Sequence, residues 1–163
     1  MPSWSQRCDA RGIVYTLDVS VVLNAYNPKE VDSIASAQMM RLLVARQIRI
    51  FAPTLILVEA AGVISRIRGD VALAEQFADT LQRLPTLTLL VLDQELTHRA
   101  RRLAAQHRLR GADAVYAAVA QQTSTTLVSL DKEHLSRLHA VIPTVTSRAV
   151  LAQLYATPPP PFA

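Results

Sequence analysis

The stretch from Tyr15 to Leu23 constrains the fold more than any other part of the sequence. An apolar, β-branched run leads there to a single carboxylate, Asp18, and a hydroxyl residue and a helical pattern follow it. A buried carboxylate must be neutralised, hydrogen-bonded or bound to a cation. In parallel α/β sheets, ligands bind just beyond the carboxyl ends of the strands. Asp18 is therefore either a cap for the next helix or the first residue of a site.

Short apolar strands alternate with helical patterns along the chain. We predict strands at 13–17, 48–52, 87–92, 126–130 and 142–145, and helices at 20–26, 33–46, 53–68, 71–84, 93–107, 112–122, 132–138 and 147–155. This alternation implies right-handed crossovers and a mainly parallel central sheet. The predicted fold class is α/β, with three layers α/β/α, and Pro143 places the last strand at an edge.

Local signals predict where several helices begin, end and face the core. Pro53 suits the first turn of a helix, where a missing N–H does no harm. Gly69 ends that helix, and Gly111 is expected to break the chain before the next buried one. In the second helix, three-to-four spacing predicts a buried apolar face made of Ile34, Ala37, Met40, Leu43 and Val44.

The length of 163 residues suits one domain with a single sizeable core. A hydrophobic fraction of 50% excludes a disordered protein, and the 5% of aromatic residues means that the core is aliphatic. We expect a flexible N-terminus at 1–12, a single domain at 13–155 and a disordered proline-rich tail at 156–163.

Cysteine content and hydropathy indicate the compartment. The one cysteine, Cys8, can form no internal disulfide and indicates no zinc cluster, which fits a reducing environment. No apolar run approaches the 18 or more residues of a membrane-spanning helix, and the N-terminus lacks a hydrophobic signal core. We therefore expect a cytoplasmic protein with no membrane partner.

The charge balance is basic and depends on arginine. Lysine and arginine total 17 against 13 acids, and 15 of the 17 are arginine. Arginine makes bidentate contacts to phosphates that lysine cannot match. Arginine and alanine also accompany high-GC genomes, so charge alone leaves a nucleic-acid partner open.

The acidic residues divide by context. At helix starts, Asp32, Asp70 and Asp93 are predicted to cap free N–H groups. Four other acids stand in apolar settings, near strand ends or in the first turns of helices: Asp18, Glu59, Asp113 and Asp131. These positions gather along one rim of a parallel sheet, where converging carboxylates would repel one another. Hard divalent cations such as Mg²⁺ prefer oxygen ligands and would relieve that repulsion.

Each of these four acids also has a purely structural explanation. Asp18 and Asp131 are placed to cap the helices after their strands, and Asp113 to complement the dipole of its own helix. Glu59 lies too far inside its helix for an N-cap, so its alternative is a buried ion pair with an arginine. Taken together and in this order, the four favour a site.

Four motifs occur in order over about residues 13–150. They are Leu17-Asp18-Val19-Ser20, Pro53 followed by Val58-Glu59-Ala60-Ala61, Arg110-Gly111-Ala112-Asp113-Ala114, and Leu127-Val128-Ser129-Leu130-Asp131. The series resembles the PIN domain, and most of all the small PIN-domain ribonucleases that serve as VapC-type toxins. The resemblance implies a metal-dependent endoribonuclease with an acidic Mg²⁺ or Mn²⁺ pocket, an RNA substrate, a cognate antitoxin and a homodimer.

The resemblance also implies roles for individual residues. It makes Asp18, Glu59, Asp113 and Asp131 the catalytic and metal-binding acids, with the hydroxyls of Ser20 and Ser129 beside them. Glu133 is an alternative to Asp131, and His134 stands where other members often carry an aromatic residue. No histidine is required, and we expect all four to be on the surface: His98, His107, His134 and His139.

Phosphate contacts are expected from Arg66, seven residues after Glu59, and from Arg110, just before Asp113. The arginines of 99–110 are alternatively a solvated helix face. Tyr26 and Tyr116 are expected to pack in the core rather than to stack on bases. Two other functions stay open: a PIN-like nuclease of RNA processing without an antitoxin, and a non-catalytic α/β binding module.

Overall fold

A computed structural model describes residues 14–132 and 134–157 of the chain. Five short strands form one sheet, and they are β1 (Tyr15–Leu17), β2 (Ile50–Pro53), β3 (Leu87–Leu90), β4 (Thr126–Val128) and β5 (Thr144–Val145). Their order is β3-β2-β1-β4-β5, and each pair is parallel. β1 and β4 are neighbours, so the carboxyl ends of these two strands meet at the same edge of the sheet. The edge position predicted for the last strand is confirmed.

The helices are α1 (Val19–Tyr26), α2 (Ser33–Ala45), α3 (Leu55–Arg68), α4 (Val71–Gln82), α5 (Gln94–His107), α6 (Gly111–Thr123) and α7 (Ser147–Ala156), with a single π-helical turn at His134–Leu138. α2 packs on α1 and α7, and α3 packs on α4 and α1. α5 and α6 pack on each other, and α6 lies against β1, β2 and β4. With right-handed crossovers these two groups cover opposite faces of the sheet. The predicted three-layer α/β/α fold is confirmed.

Small side chains bring α6 close to the sheet. The helix is buried continuously from Asp113 to Ala120, and four of these eight residues are alanine. A helix that is apolar on all sides is stable only where neighbours cover it on all sides. Asp113 is thereby carried into the interior, although it lies in the first helical turn.

Several predicted boundaries were wrong. Pro53 is the last residue of β2 and not the first turn of a helix. A proline is tolerated there because β1 pairs only with Ile50 and Phe51, which leaves no bond for the missing N–H to make. Gly111 begins α6 instead of breaking the chain, with Arg110 as the N-cap.

The buried face of α2 also differs from the prediction. Ile34 is 73% exposed, whereas Ser36 is fully buried beside Met39 and Leu43. The Ser36 hydroxyl donates to Asn24 Oδ1 at 2.7 Å and lies 2.8 Å from Ser147 Oγ. Together with these polar contacts among α1, α2 and α7, the buried face of α2 is shifted by about one residue from the predicted face. It consists of Ser33, Ser36, Met39 and Leu43.

Two of the three predicted aspartate caps are confirmed. Asp70 accepts from the Leu73 N–H at 3.0 Å, and Asp93 accepts from the Leu96 N–H at 2.8 Å. Asp32 was predicted wrongly, because its backbone is left-handed and its carboxylate instead pairs with the Arg148 guanidinium. The prediction failed because Arg148 is 116 residues away in sequence.

The predictions for the two chain ends concern mainly residues that the structure does not describe. Residues 1–12 and 158–163 lie outside the described part of the chain, and Ala156 is the last residue of α7 rather than the first of a tail. Among the described residues, no helix combines the length and apolar character needed to cross a membrane.

Candidate active site

The structure brings the four predicted acids to the carboxyl edge of the sheet. Asp18 follows β1 directly, and its backbone N–H donates to the Val128 carbonyl of β4 at 3.0 Å. Glu59 projects from α3, Asp113 from the first turn of α6, and Asp131 from the segment after β4. Asp18 is only 3% exposed and Asp113 is also buried, whereas Glu59 and Asp131 are half-buried.

Two hydroxyls hold Asp18. Ser20 Oγ donates to Asp18 Oδ2 at 2.5 Å, and Ser129 Oγ donates to the same oxygen at 2.8 Å. The two serines also accept backbone N–H groups, Ser20 from Leu130 at 3.0 Å and Ser129 from Asp131 at 3.1 Å. Ser20 lies in the first turn of α1 and Ser129 directly after β4, but no backbone N–H of that turn donates to the Asp18 carboxylate. The capping explanation of Asp18 finds no support in these contacts.

His134 is a central residue that the sequence prediction placed wrongly. It is 3% exposed instead of lying on the surface, and it lies between the two most buried acids. Its Nδ1 is 3.4 Å from Asp18 Oδ2, and its Nε2 is 2.8 Å from Asp113 Oδ1. The Nε2 contact has an ion-pair distance but not the angle of a hydrogen bond. Two signals were available: His134 lies three residues after Asp131, within one helical turn of a strand-end acid, and it stands where other members often carry an aromatic residue.

Arg110 supplies the second positive charge. Its Nε lies 3.1 Å from Asp113 Oδ2, and its guanidinium reaches Asp131 Oδ2 at 3.5 Å. The residue predicted to contact RNA therefore neutralises two of the acids here. Arg66, the other predicted RNA contact, is exposed on α3. Glu133, the predicted alternative to Asp131, lies outside the described residues.

Tyr116 is buried in α6, but it does more than fill the core. Its hydroxyl donates to Glu59 Oε2 at 2.6 Å. Burial, and then the hydrogen bond and charge of Glu59, raise the pKa of the Tyr116 phenol, so it remains a donor. Burial raises the pKa of Glu59, and the charges of Asp18 and Asp113 add to this effect, while Tyr116 opposes it.

The protonation states of Asp18 and His134 follow from the contacts of these two residues. Burial would raise the pKa of Asp18, but His134, Ser20 and Ser129 together hold that pKa below its ordinary value. Burial would lower the pKa of His134, but Asp18 and Asp113 raise it to about 9. At neutral pH the imidazole is therefore a cation between two carboxylates.

The donor chemistry of this site fits a hard divalent ion. The acids present only oxygen, and Asp18 and Asp113 are close enough to Glu59 to raise its pKa, which marks a place where positive charge is favourable. Within residues 14–132 and 134–157, however, no three acid, histidine or cysteine side chains already meet around one point. The His134 ring lies between Asp18 and Asp113 instead.

Residues 15–140 match the family model of the PIN domain. The chain belongs to the PIN domain family. The match spans well over half of the 163 residues and contains all four acids of the site. A comparison with curated protein sequences finds no match.

Solved structures from several organisms share this PIN fold. PAE2754 from Pyrobaculum aerophilum has a TM-score of 0.65 and 21% identity, covering 89% of this chain and 91% of that one. VapC20 from Mycobacterium tuberculosis, a sarcin-ricin loop cleaving toxin, has a TM-score of 0.64 and 15% identity, covering 78% and 95%. VapBC2 from Rickettsia felis, bound to a DNA fragment from its promoter, has a TM-score of 0.63 and 14% identity, covering 82% of this chain and 98% of that one. At these identities the likeness concerns the fold.

Proposed function

We propose that this PIN domain is a metal-dependent endoribonuclease that hydrolyses RNA phosphodiester bonds, and that it is the toxin of a toxin–antitoxin pair. The observation that carries the proposal is the grouping of Asp18, Glu59 and Asp113 at one edge of the sheet. A group of carboxylates would repel a polyanion such as RNA. The same group can bind a metal ion, and the ion can then contact phosphate.

In this proposal Asp18, Glu59 and Asp113 hold Mg²⁺ or Mn²⁺, and Asp131 borders the same pocket. The chemistry that a divalent ion would supply there is activation of water and neutralisation of charge on phosphate. Ser20 and Ser129 keep Asp18 ionised and oriented through their bonds to Oδ2. Tyr116 fixes the direction of the Glu59 carboxylate.

Glu59 is the best candidate for a general base. In the metal-free site the pKa of Glu59 is raised while that of Asp18 is lowered, so Glu59 accepts a proton more readily than Asp18. Glu59 is also half-buried, so water and RNA can reach it, whereas Asp18 is nearly inaccessible.

The toxin assignment adds an antitoxin and a homodimer. A groove of about 550 Å³ adjoins the site at Ser20 and Asp131 and is lined further along by Leu23, Tyr26 and Ile67. Ile67 is 65% exposed, and the nearby Val31 is 84% exposed. We place the antitoxin segment in this groove, because exposed apolar residues beside a polar site suit a partner peptide. A cytoplasmic location follows from this role.

The test is cleavage of total RNA with mapped ends, with Mg²⁺ or Mn²⁺ and with a chelator. Asp18→Asn should remove cleavage, while Asp79→Asn, an exposed acid of α4 that pairs with Arg83, should retain it. Calorimetry with the same variants should show metal binding lost only for Asp18→Asn. Cleavage that survives both Asp18→Asn and the chelator would overturn the proposal, and an absence of both cleavage and metal binding would favour a binding module.

A further inference from the structure

The starting observation is a buried histidine that fills a gap between two carboxylates. His134 Nδ1 faces Asp18 and Nε2 faces Asp113, so the imidazole ring itself occupies the space between the acids. The ring is 3% exposed and packs beside Tyr116, with ring centroids 6.4 Å apart. Its Nε2 is buried without an aligned hydrogen bond. A buried nitrogen in that condition is unusual and requires an explanation.

The two ring nitrogens point in opposite directions, which decides what the ring can do. Each nitrogen faces a different carboxylate, so the ring in this orientation cannot join Asp18 and Asp113 around one ion. This arrangement explains why no three donor side chains of the described residues already converge. A divalent ion held by both acids would need the volume that the ring now fills.

The segment that carries His134 is suited to a change of ring position. It is a single π-helical turn, a wide geometry that recurs at functional sites. Within the turn Leu138 is fully buried, whereas Ser136 and Arg137 are exposed. Leu138 anchors the segment through bonds from the Val141 and Ile142 N–H groups to its carbonyl, at 2.7 and 2.9 Å. The backbone can therefore stay in place while the side chain of the first residue moves.

We propose that the His134 imidazole and a divalent cation are alternative occupants of the space between Asp18 and Asp113, so that metal binding displaces the ring. The inference rests on the metal site of the proposed function. It assigns His134 a regulatory role, because the ring holds the acids together without metal and lowers the apparent metal affinity. The ring is a competitor of the ion and not its ligand.

The first test is calorimetry of the whole protein with MgCl₂ and with MnCl₂. His134→Phe should bind either ion about ten- to a hundredfold more tightly than wild type, because the variant lacks the competing attraction between the imidazole and the two carboxylates. His139→Phe, an exposed histidine one residue beyond the same turn, should bind as wild type does. Weaker binding by His134→Phe, above all of Mn²⁺, would overturn the inference because it would make the imidazole a ligand.

The second test uses wild-type protein and needs no folded variant. Hydrogen–deuterium exchange at imidazole C2, read by mass spectrometry, should be slow for His134 without metal and several-fold faster with saturating Mg²⁺. His139 should exchange at the same rate in both states. If the protein binds Mg²⁺ but exchange at His134 is unchanged or slower, the proposed displacement of the ring is wrong, while the proposed metal site still stands. If neither wild type nor His134→Phe binds either ion, the proposed metal site is wrong and the inference falls with it.

Discussion

The hydroxyl of Tyr116 on α6 donates to Glu59 Oε2 on α3 at 2.6 Å, and this bond joins helices from the two outer layers of the fold. Between the two residues lies the edge of the sheet where Asp18 follows β1. The bond fixes one oxygen of a carboxylate that is otherwise half-buried and repelled by Asp18 and Asp113. Tyr116 is therefore a positioning residue for Glu59 in the proposed reaction.

Replacing Tyr116 with Phe should lower RNA cleavage about tenfold, because Glu59 loses its orientation, and should lower the free energy of unfolding by about 1 kcal/mol. The matched control is Tyr15→Phe, since Tyr15 donates to Gln153 Oε1 at 3.2 Å, away from the acids. Tyr15→Phe should lower the free energy of unfolding by a similar amount and leave RNA cleavage unchanged. Equal cleavage by the two variants would mean that the Tyr116 bond does not serve the reaction.

Arg110 should contact RNA phosphate in exchange for one of its two carboxylates. Measured on the Asp18→Asn background, which retains RNA uncut, Arg110→Gln should reduce the slope of log affinity against log salt by about 0.7. Arg83→Gln removes an exposed charge at the C-terminal end of α4, away from the acids, and should leave the slope unchanged. Arg110 is largely exposed, so its loss should change the free energy of unfolding by less than about 1 kcal/mol. If both variants keep the wild-type slope, Arg110 only neutralises Asp113 and Asp131.

The stability of the metal-free protein should fall on the alkaline side of neutrality. The pKa of His134 is raised to about 9 in the folded state, and an unfolded histidine titrates near 6.5. A raised pKa means that the folded state binds the proton more tightly, so the stabilisation is fully present below pH ~6.5 and is lost as the pH rises through ~9.

Thermal melts in chelator from pH 5.5 to 9.5 measure this loss. Wild type and His139→Phe should lose on the order of 2 kcal/mol across the window, and His134→Phe should lose much less. The groups that face the ring are Asp18, Asp113 and Ser129. A parallel loss in all three proteins would assign the pH dependence to other groups.

Strand-end acids could be predicted from sequence because their burial follows from local patterns. An apolar β-branched run before Asp18 and Asp131, and an alanine-rich helix around Asp113, determine where these residues lie whatever the details of the turns. The caps at Asp70 and Asp93 were predictable for the same reason, since their partners are three residues away.

The errors share a different cause, which is pairing between distant residues. Asp32 meets Arg148, and Ser36 meets Ser147, over more than a hundred residues of sequence. His134 looked like a surface residue because its environment is made by Asp18 and Asp113, which lie on two other elements. Local periodicity carries no information about such contacts, so polar residues at the centre of the site were the hardest to place.

Asp113 joins stability and proposed function, and a double-mutant cycle should separate the two. It pairs with Arg110 through Oδ2 and with His134 through Oδ1, so Asp113→Asn in metal-free protein leaves a buried imidazole without one of its two acids. We expect a loss of about 1–3 kcal/mol in the free energy of unfolding, whereas Asp131→Asn, with a partly exposed carboxylate, should cost less than about 1 kcal/mol. In the His134→Phe background, Asp113→Asn should cost at least ~1 kcal/mol less than in wild type, because the partner charge is already gone. Chemical denaturation of the four proteins in chelator gives this coupling, and strictly additive losses would mean that the short distance between Asp113 and His134 carries no stabilising interaction.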